Sequence, residues 1–128
     1  MSDHNHGHER EPAPPRDGDE GQAPELVEIS ELSKKGYQYL KENRIRDAEQ
    51  SFAKILETDP ENNYALVGLG DAARKRGAHR DAIDYYKKCL VYHPGNNYAL
   101  FGLADCFKAL NQYQKAIEYY EAAKAHGE

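Results

Sequence analysis

The 128-residue chain has no tryptophan, one methionine and only two cysteines. None of its apolar runs approaches the ~20 residues that a membrane-spanning helix requires. Met1 is followed by polar residues rather than an apolar segment, so no secretory signal is expected and a cytoplasmic location is the default. Cys89 and Cys106 fall on apolar faces of neighbouring segments, where a free thiol behaves as a small hydrophobe, and core packing is expected ahead of a disulfide or catalysis. His79, His93 and His126 are scattered, and none has a Cys, Asp or Ser at the spacing of nucleophilic catalysis. A Gly-rich phosphate loop is missing too. An enzyme reading therefore has no residues to rest on, and neither a cofactor nor a small-molecule substrate is expected. The period-two alternation of strands is also absent.

Charge is unevenly placed. The formal net charge is -5, and most of it belongs to residues 1–24, where Asp3, Glu9, Glu11, Asp17, Asp19 and Glu20 outnumber Arg10 and Arg16. This stretch also holds Pro12, Pro14, Pro15 and Pro24 and almost nothing apolar. It cannot bury enough surface to offset its ordering entropy, so a disordered acidic tail is expected. His4, His6 and His8 alternate within it, and such imidazoles could chelate a divalent ion weakly. No folded fourth ligand stands nearby, and a solvated tail is the weightier reading. The remainder is close to neutral and lacks the basic face of ordinary nucleic-acid binders. One local cluster, Arg74, Lys75, Arg76 and Arg80, supports nucleic-acid binding only weakly.

What the chain does have is a block written twice. Asn62-Asn63-Tyr64-Ala65-Leu66 returns 34 residues later as Asn96-Asn97-Tyr98-Ala99-Leu100, and the offset also carries Gly68 onto Gly102, Asp71 onto Asp105 and Tyr86 onto Tyr120. A degraded copy lies one period upstream, with Leu32, Gly36, Tyr39, Ala48 and Phe52 at matching places. Each unit holds two runs with one apolar stripe at helical spacing. Asn43, Gly77 and Asn111 separate the runs, and these residue types tolerate the left-handed turn that closes a helix. Asn62 and Asn96 are placed to cap the helices that follow. The spacing predicts six helices, over about 26–42, 45–58, 62–76, 79–92, 96–110 and 113–126. No unit buries its stripe alone, so three stacked units form one small domain over 25–128, with repeats of about 29–62, 63–96 and 97–128.

These units resemble the tetratricopeptide repeats, whose pattern asks for a large apolar residue, Leu-Gly, an aromatic, a small Ala, an aromatic, another small residue and a Pro. The middle unit answers with Leu66, Leu69-Gly70, Ala82, Tyr86, Cys89 and Pro94, and departs at Ala73. The first has Leu32, Gly36, Tyr39, Ala48, Phe52 and Pro60, with Lys35 in place of the Leu. The third has Leu100, Leu103-Ala104, Phe107, Ala116, Tyr120 and Ala123. The resemblance implies an all-α, right-handed superhelical solenoid of helix-turn-helix repeats. It implies protein binding as the role, through a concave groove lined by the first helix of each unit.

Matching the units places Ser33, Tyr37, Leu40 and Lys41 in that groove, followed by Tyr64, Val67, Asp71, Arg74 and Lys75, then Tyr98, Phe101, Asp105 and Lys108. Tyr and Arg are enriched at binding hot spots. Val67 and Phe101 have no place in a helix-pair core by periodicity, which points them at a ligand. The plainer alternatives are that the tyrosines pack on the preceding unit and that Asp71 merely pairs with Arg74 or Lys75 along its helix. Gly68 and Gly102, costly inside a helix, leave room on the groove floor. Family members that clamp a C-terminal carboxylate carry Lys, Asn and Arg where this chain has Ser33, Tyr37, Gly68, Tyr98 and Gly102, which disfavours that ligand. An adaptor binding a partner's peptide or helix is the first expectation. Self-assembly into a homodimer is the alternative: the chain stops at Glu128 soon after Tyr119, Tyr120, Ala122 and Ala123, without the solvating helix the family usually adds.

Overall fold

The computed structural model describes residues 24–127. Over that stretch the chain forms six helices and no strand: α1 Pro24–Lys41, α2 Ile45–Thr58, α3 Asn63–Lys75, α4 His79–Tyr92, α5 Asn97–Ala109 and α6 Tyr113–Gly127. They follow the sequence expectation to within a residue or two. The exception is at the start: α1 opens at Pro24, which the composition had assigned to the tail. Proline suits a first helical turn, because the N–H it lacks would have no helical partner there. The expectations for the rest of the tail, including His4, His6 and His8, lie outside the described residues.

Local signals explain the boundaries. Asn62 Oδ1 accepts the Ala65 N–H and Asn96 Oδ1 accepts the Ala99 N–H, each at 2.9 Å, so both caps form as their spacing requires. Asn43, Gly77 and Asn111 all have positive φ. At Gly77 the turn is a full Schellman closure, with its N–H donating to the Arg74 carbonyl and that of Ala78 to the Ala73 carbonyl.

Helices adjacent in the chain pack against one another throughout, and α3 also touches both α1 and α5. The result is a helical repeat solenoid of three hairpins. Its core is continuous, since Leu56 and Tyr85 are packed against both the cluster around Phe52 and the cluster around Tyr86. Cys89 and Cys106 are buried within it, and neither is in a disulfide.

The glycines explain how the hairpins fit. A β-carbon at Gly36 or at Gly68 would land about 2.5 Å from the Phe52 ring, and one at Gly70 or Gly102 would do the same to Tyr86. Phe52 and Tyr86 are thus each wedged between a glycine of their own hairpin and a glycine of the next. This corrects one expectation. The space left by Gly68 and Gly102 is filled by Phe52 and Tyr86 and is not open to a ligand.

Candidate binding groove

The first helices α1, α3 and α5 line one side of the solenoid, and a polar seam runs between the second and third hairpins. Tyr86 Oη donates to Asp71 Oδ1 at 2.5 Å, and Tyr120 Oη donates to Asp105 Oδ1, the same contact one period on. Arg74 ties the two together: its Nε donates to Tyr86 Oη at 3.2 Å, and its Nη1 reaches Asp105 Oδ2 at 3.1 Å. Its Nη2 lies 3.5 Å from Asp71 Oδ1. The ion pair expected along one helix therefore exists, but the guanidinium also bridges two hairpins.

Burial sets the electrostatics of this seam. Removal from water raises the Asp71 carboxyl above the ordinary range, and the Tyr86 hydroxyl and Arg74 only partly offset it. Burial likewise pushes the Tyr86 phenol upward, reinforced by the neighbouring Asp71 charge. Burial works against the Arg74 cation, yet Tyr86, Asp71 and Asp105 outweigh it and its pKa is raised.

At the matching positions the first hairpin makes its join with uncharged side chains. Where the second has Asp71, Arg74 and Tyr86, it has Tyr37, Leu40 and Phe52. The Tyr37 ring meets Phe52 edge-on with centroids 4.9 Å apart, and Leu40 is buried. The Tyr37 hydroxyl donates to the Tyr64 carbonyl at 2.8 Å, crossing from one hairpin to the next. The three positions change together: with no phenol at 52, there is no carboxylate at 37 to receive one.

Beside this seam lies a cavity of about 150 Å³, lined by Tyr37, Asn63, Tyr64, Val67, Asp71, Asn96 and Tyr98. Five of the thirteen groove residues read from the sequence, Tyr37, Tyr64, Val67, Asp71 and Tyr98, therefore meet at one concavity. They are not exposed alike. Tyr64 is 9% exposed and Val67 4%, so these form a floor, whereas Tyr98 stands at the rim with 63% exposed. Val67 belongs to the core cluster with Ala99 and Leu103 of α5, against the expectation that periodicity left it no core place. Ser33 and Leu40 are buried as well. Arg74 and Asp105 form the seam, and Phe101 and Lys108 lie exposed at the far end.

Asn63 and the phenols of Tyr86 and Tyr120 were not read as site residues. The signal for the phenols is the joint replacement of Asp and Tyr in the first unit, while Asn63, inside a cap motif, gives no such signal. The basic cluster is not one surface. Arg74 is engaged in the seam and Arg76 pairs with Glu49 at 2.8 Å, which leaves Lys75 and Arg80 exposed. Among the described residues no group of His, Cys, Asp and Glu side chains is arranged to hold a metal ion, and no helix is long and apolar enough to cross a membrane.

Two models of the tetratricopeptide repeat match the chain, over residues 33–91 and 73–127. No curated protein matches it. Among solved structures it is similar to the TPR domain of Arabidopsis FLU, with 28% identity and a TM-score of 0.70 over 80% of this chain and 96% of that one. It is also similar to the TPR2B domain of yeast Sti1 in a complex with pHsp70, with 20% identity and a TM-score of 0.73 over 78% and 80%. MamA MSR-1 matches with 21% identity and a TM-score of 0.68 over 77% of this chain, which spans 57% of that one.

Proposed function

The chain belongs to the tetratricopeptide-repeat family, and from that premise we propose that it is a non-enzymatic, cytoplasmic adaptor that holds a peptide or helix of a partner protein in its concave groove. The observation that carries this reading is the cavity between Tyr37, Tyr64, Val67 and Tyr98, because a concave, mostly apolar site with a few fixed polar groups is the ordinary form of a ligand pocket. One apolar side chain of the partner enters it, with Val67 and Tyr64 as floor and Tyr98 folding over the top. The rest of the partner runs along the seam toward Phe101 and Lys108. Asp71 and Asp105 share the single Arg74 cation, so the seam offers oriented hydrogen-bonding groups in which acceptors outnumber cations. The complex of the Sti1 domain with pHsp70 supports the general role. The ligand differs from a carboxylate tail, since Gly68 and Gly102 are covered by rings and Ser33 is buried.

A displayed library of random peptides, selected on the full chain, tests this. Selected peptides should lose tenfold or more in affinity against Tyr98→Ala, as truncation of a hot-spot aromatic does, and more still against Tyr98→Ala with Phe101→Ala. Arg80→Ala, outside the groove, should change nothing. Peptides that bind the double variant as well as the natural chain would place the site elsewhere.

A further inference from the structure

The repeats allow one hairpin to be used as a template for the next. Val67 is 4% exposed and Ile83 is 8% exposed, because the third hairpin lies over them; their counterparts Phe101 and Ile117 are 46% and 48% exposed. Tyr86 is wholly buried between Gly70 and Gly102, while its counterpart Tyr120 is half-buried, leaning toward Phe101 with ring centroids 6.3 Å apart. Arg74 reaches Asp105 on the following hairpin, whereas its counterpart Lys108 has no carboxylate within ion-pair distance among the described residues. One face of α5 and α6 thus repeats, group for group, the face by which the second hairpin receives the third.

The structure also shows what fits such a face. At both internal joins the incoming helix brings a glycine over the aromatic ring, Gly68 on Phe52 and Gly102 on Tyr86. At the join that has a cation, the same helix brings an aspartate three residues later, Asp105 to Arg74. We infer that the face around Tyr120, Phe101, Ile117 and Lys108 docks an amphipathic helix of a partner protein that carries Gly-x-x-Asp or Gly-x-x-Glu, the glycine over Tyr120 and the carboxylate on Lys108. A second copy stacked head to tail is a poor occupant. On α1 the two places hold Lys34 and Tyr37, so the ring would meet a long side chain and the cation would find no acid. This face meets the far end of the groove at Phe101 and Lys108 but contains none of the residues that line the cavity.

A synthetic peptide of residues 62–92, which carries Gly68 and Asp71 in the docking register, serves as the probe. Titrated into the full chain and followed by calorimetry, it should bind. Ile117→Glu in the protein should weaken it at least tenfold, as should Gly68→Leu in the peptide. Lys108→Glu should also weaken it, and combining that variant with an Asp71→Lys peptide should recover most of the loss. Tyr98→Ala should leave it unchanged, which separates this face from the cavity. Ile117 and Lys108 are exposed, so circular dichroism should show the variants folded. The inference is overturned if the peptide does not bind, or binds the Ile117→Glu chain equally well. It is also overturned if the chain sediments as a dimer that Ile117→Glu dissolves, which would make a second copy the occupant.

Discussion

Replacing Gly102 with alanine should destabilise the chain, although the same exchange in an open helix stabilises it by about 1 kcal/mol. The added β-carbon would stand 2.3 Å from Tyr86 Cζ and 2.6 Å from Cε1 and Cε2, well inside contact distance. The ring has nowhere to retreat. It is fully buried, its other side lies against Gly70, and its hydroxyl is held by Asp71 and Arg74. Overpacking of this kind costs about 1–3 kcal/mol. With the gain in helix propensity set against the upper part of that range, the net loss is about 1–2 kcal/mol. In a domain of this size each kcal/mol shifts Tm by about 4–8 °C. Urea unfolding followed by far-UV circular dichroism would measure it, with a Tyr86→Leu background as the internal control. Without the ring, Gly102→Ala should become neutral or stabilising, so the two substitutions should couple by more than about 1 kcal/mol. A single Gly102→Ala variant more stable than the natural chain would refute the wedged-ring account and reopen position 102 to a ligand.

Tyr86→Phe should cost about 1–3 kcal/mol, since it strips a donor from a largely buried carboxylate; an unchanged urea midpoint would show that Asp71 finds water instead. Asp71 has a folded pKa raised by burial above its ordinary 3.8, so the folded state holds the proton more tightly than the unfolded one. Its contribution to stability is fully present below the unfolded value and is lost as pH rises through the folded one. Asp71→Asn, which cannot ionise, should therefore gain stability relative to the natural chain as pH is raised across that window, and a difference falling with pH would contradict the burial argument. Asn96→Ala should cost about 1 kcal/mol through the lost α5 cap, read from the same melts. Burial lifts the Cys106 thiol to about 11; both cysteines should resist a thiol reagent at mildly alkaline pH and react at once in denaturant.

The fold was legible because its determinants are local. Asn caps, residues suited to positive φ at 43, 77 and 111, and a 34-residue echo each act within a few positions of where they stand. The groove was legible only in part. A helical period assigns one buried face, but α3 is packed by α1, α2, α4 and α5, and residues 63–70 are all buried in succession. That is why Val67 and Tyr64 became floor while Tyr98 and Phe101, their repeats on a less enclosed helix, stayed exposed. The ring beneath Gly68 belongs to a residue 16 positions earlier, a distance at which periodicity carries no information. The seam was within reach, because Tyr37 and Phe52 abandon Asp and Tyr together.

Each join of this solenoid carries one ion pair between hairpins. The first is closed by Phe52, Leu40 and the Tyr37 ring, and Arg76 also reaches Glu49 across it at 2.8 Å. The second has the Arg74 to Asp105 bridge at 3.1 Å. Both pairs join partly exposed side chains, and each is an attraction of about 0.2–1 kcal/mol that salt screens and acid removes. Rising salt therefore loosens both joins of a nearly periodic column by similar small amounts, while the rings wedged at Phe52 and Tyr86 keep the hairpins in register.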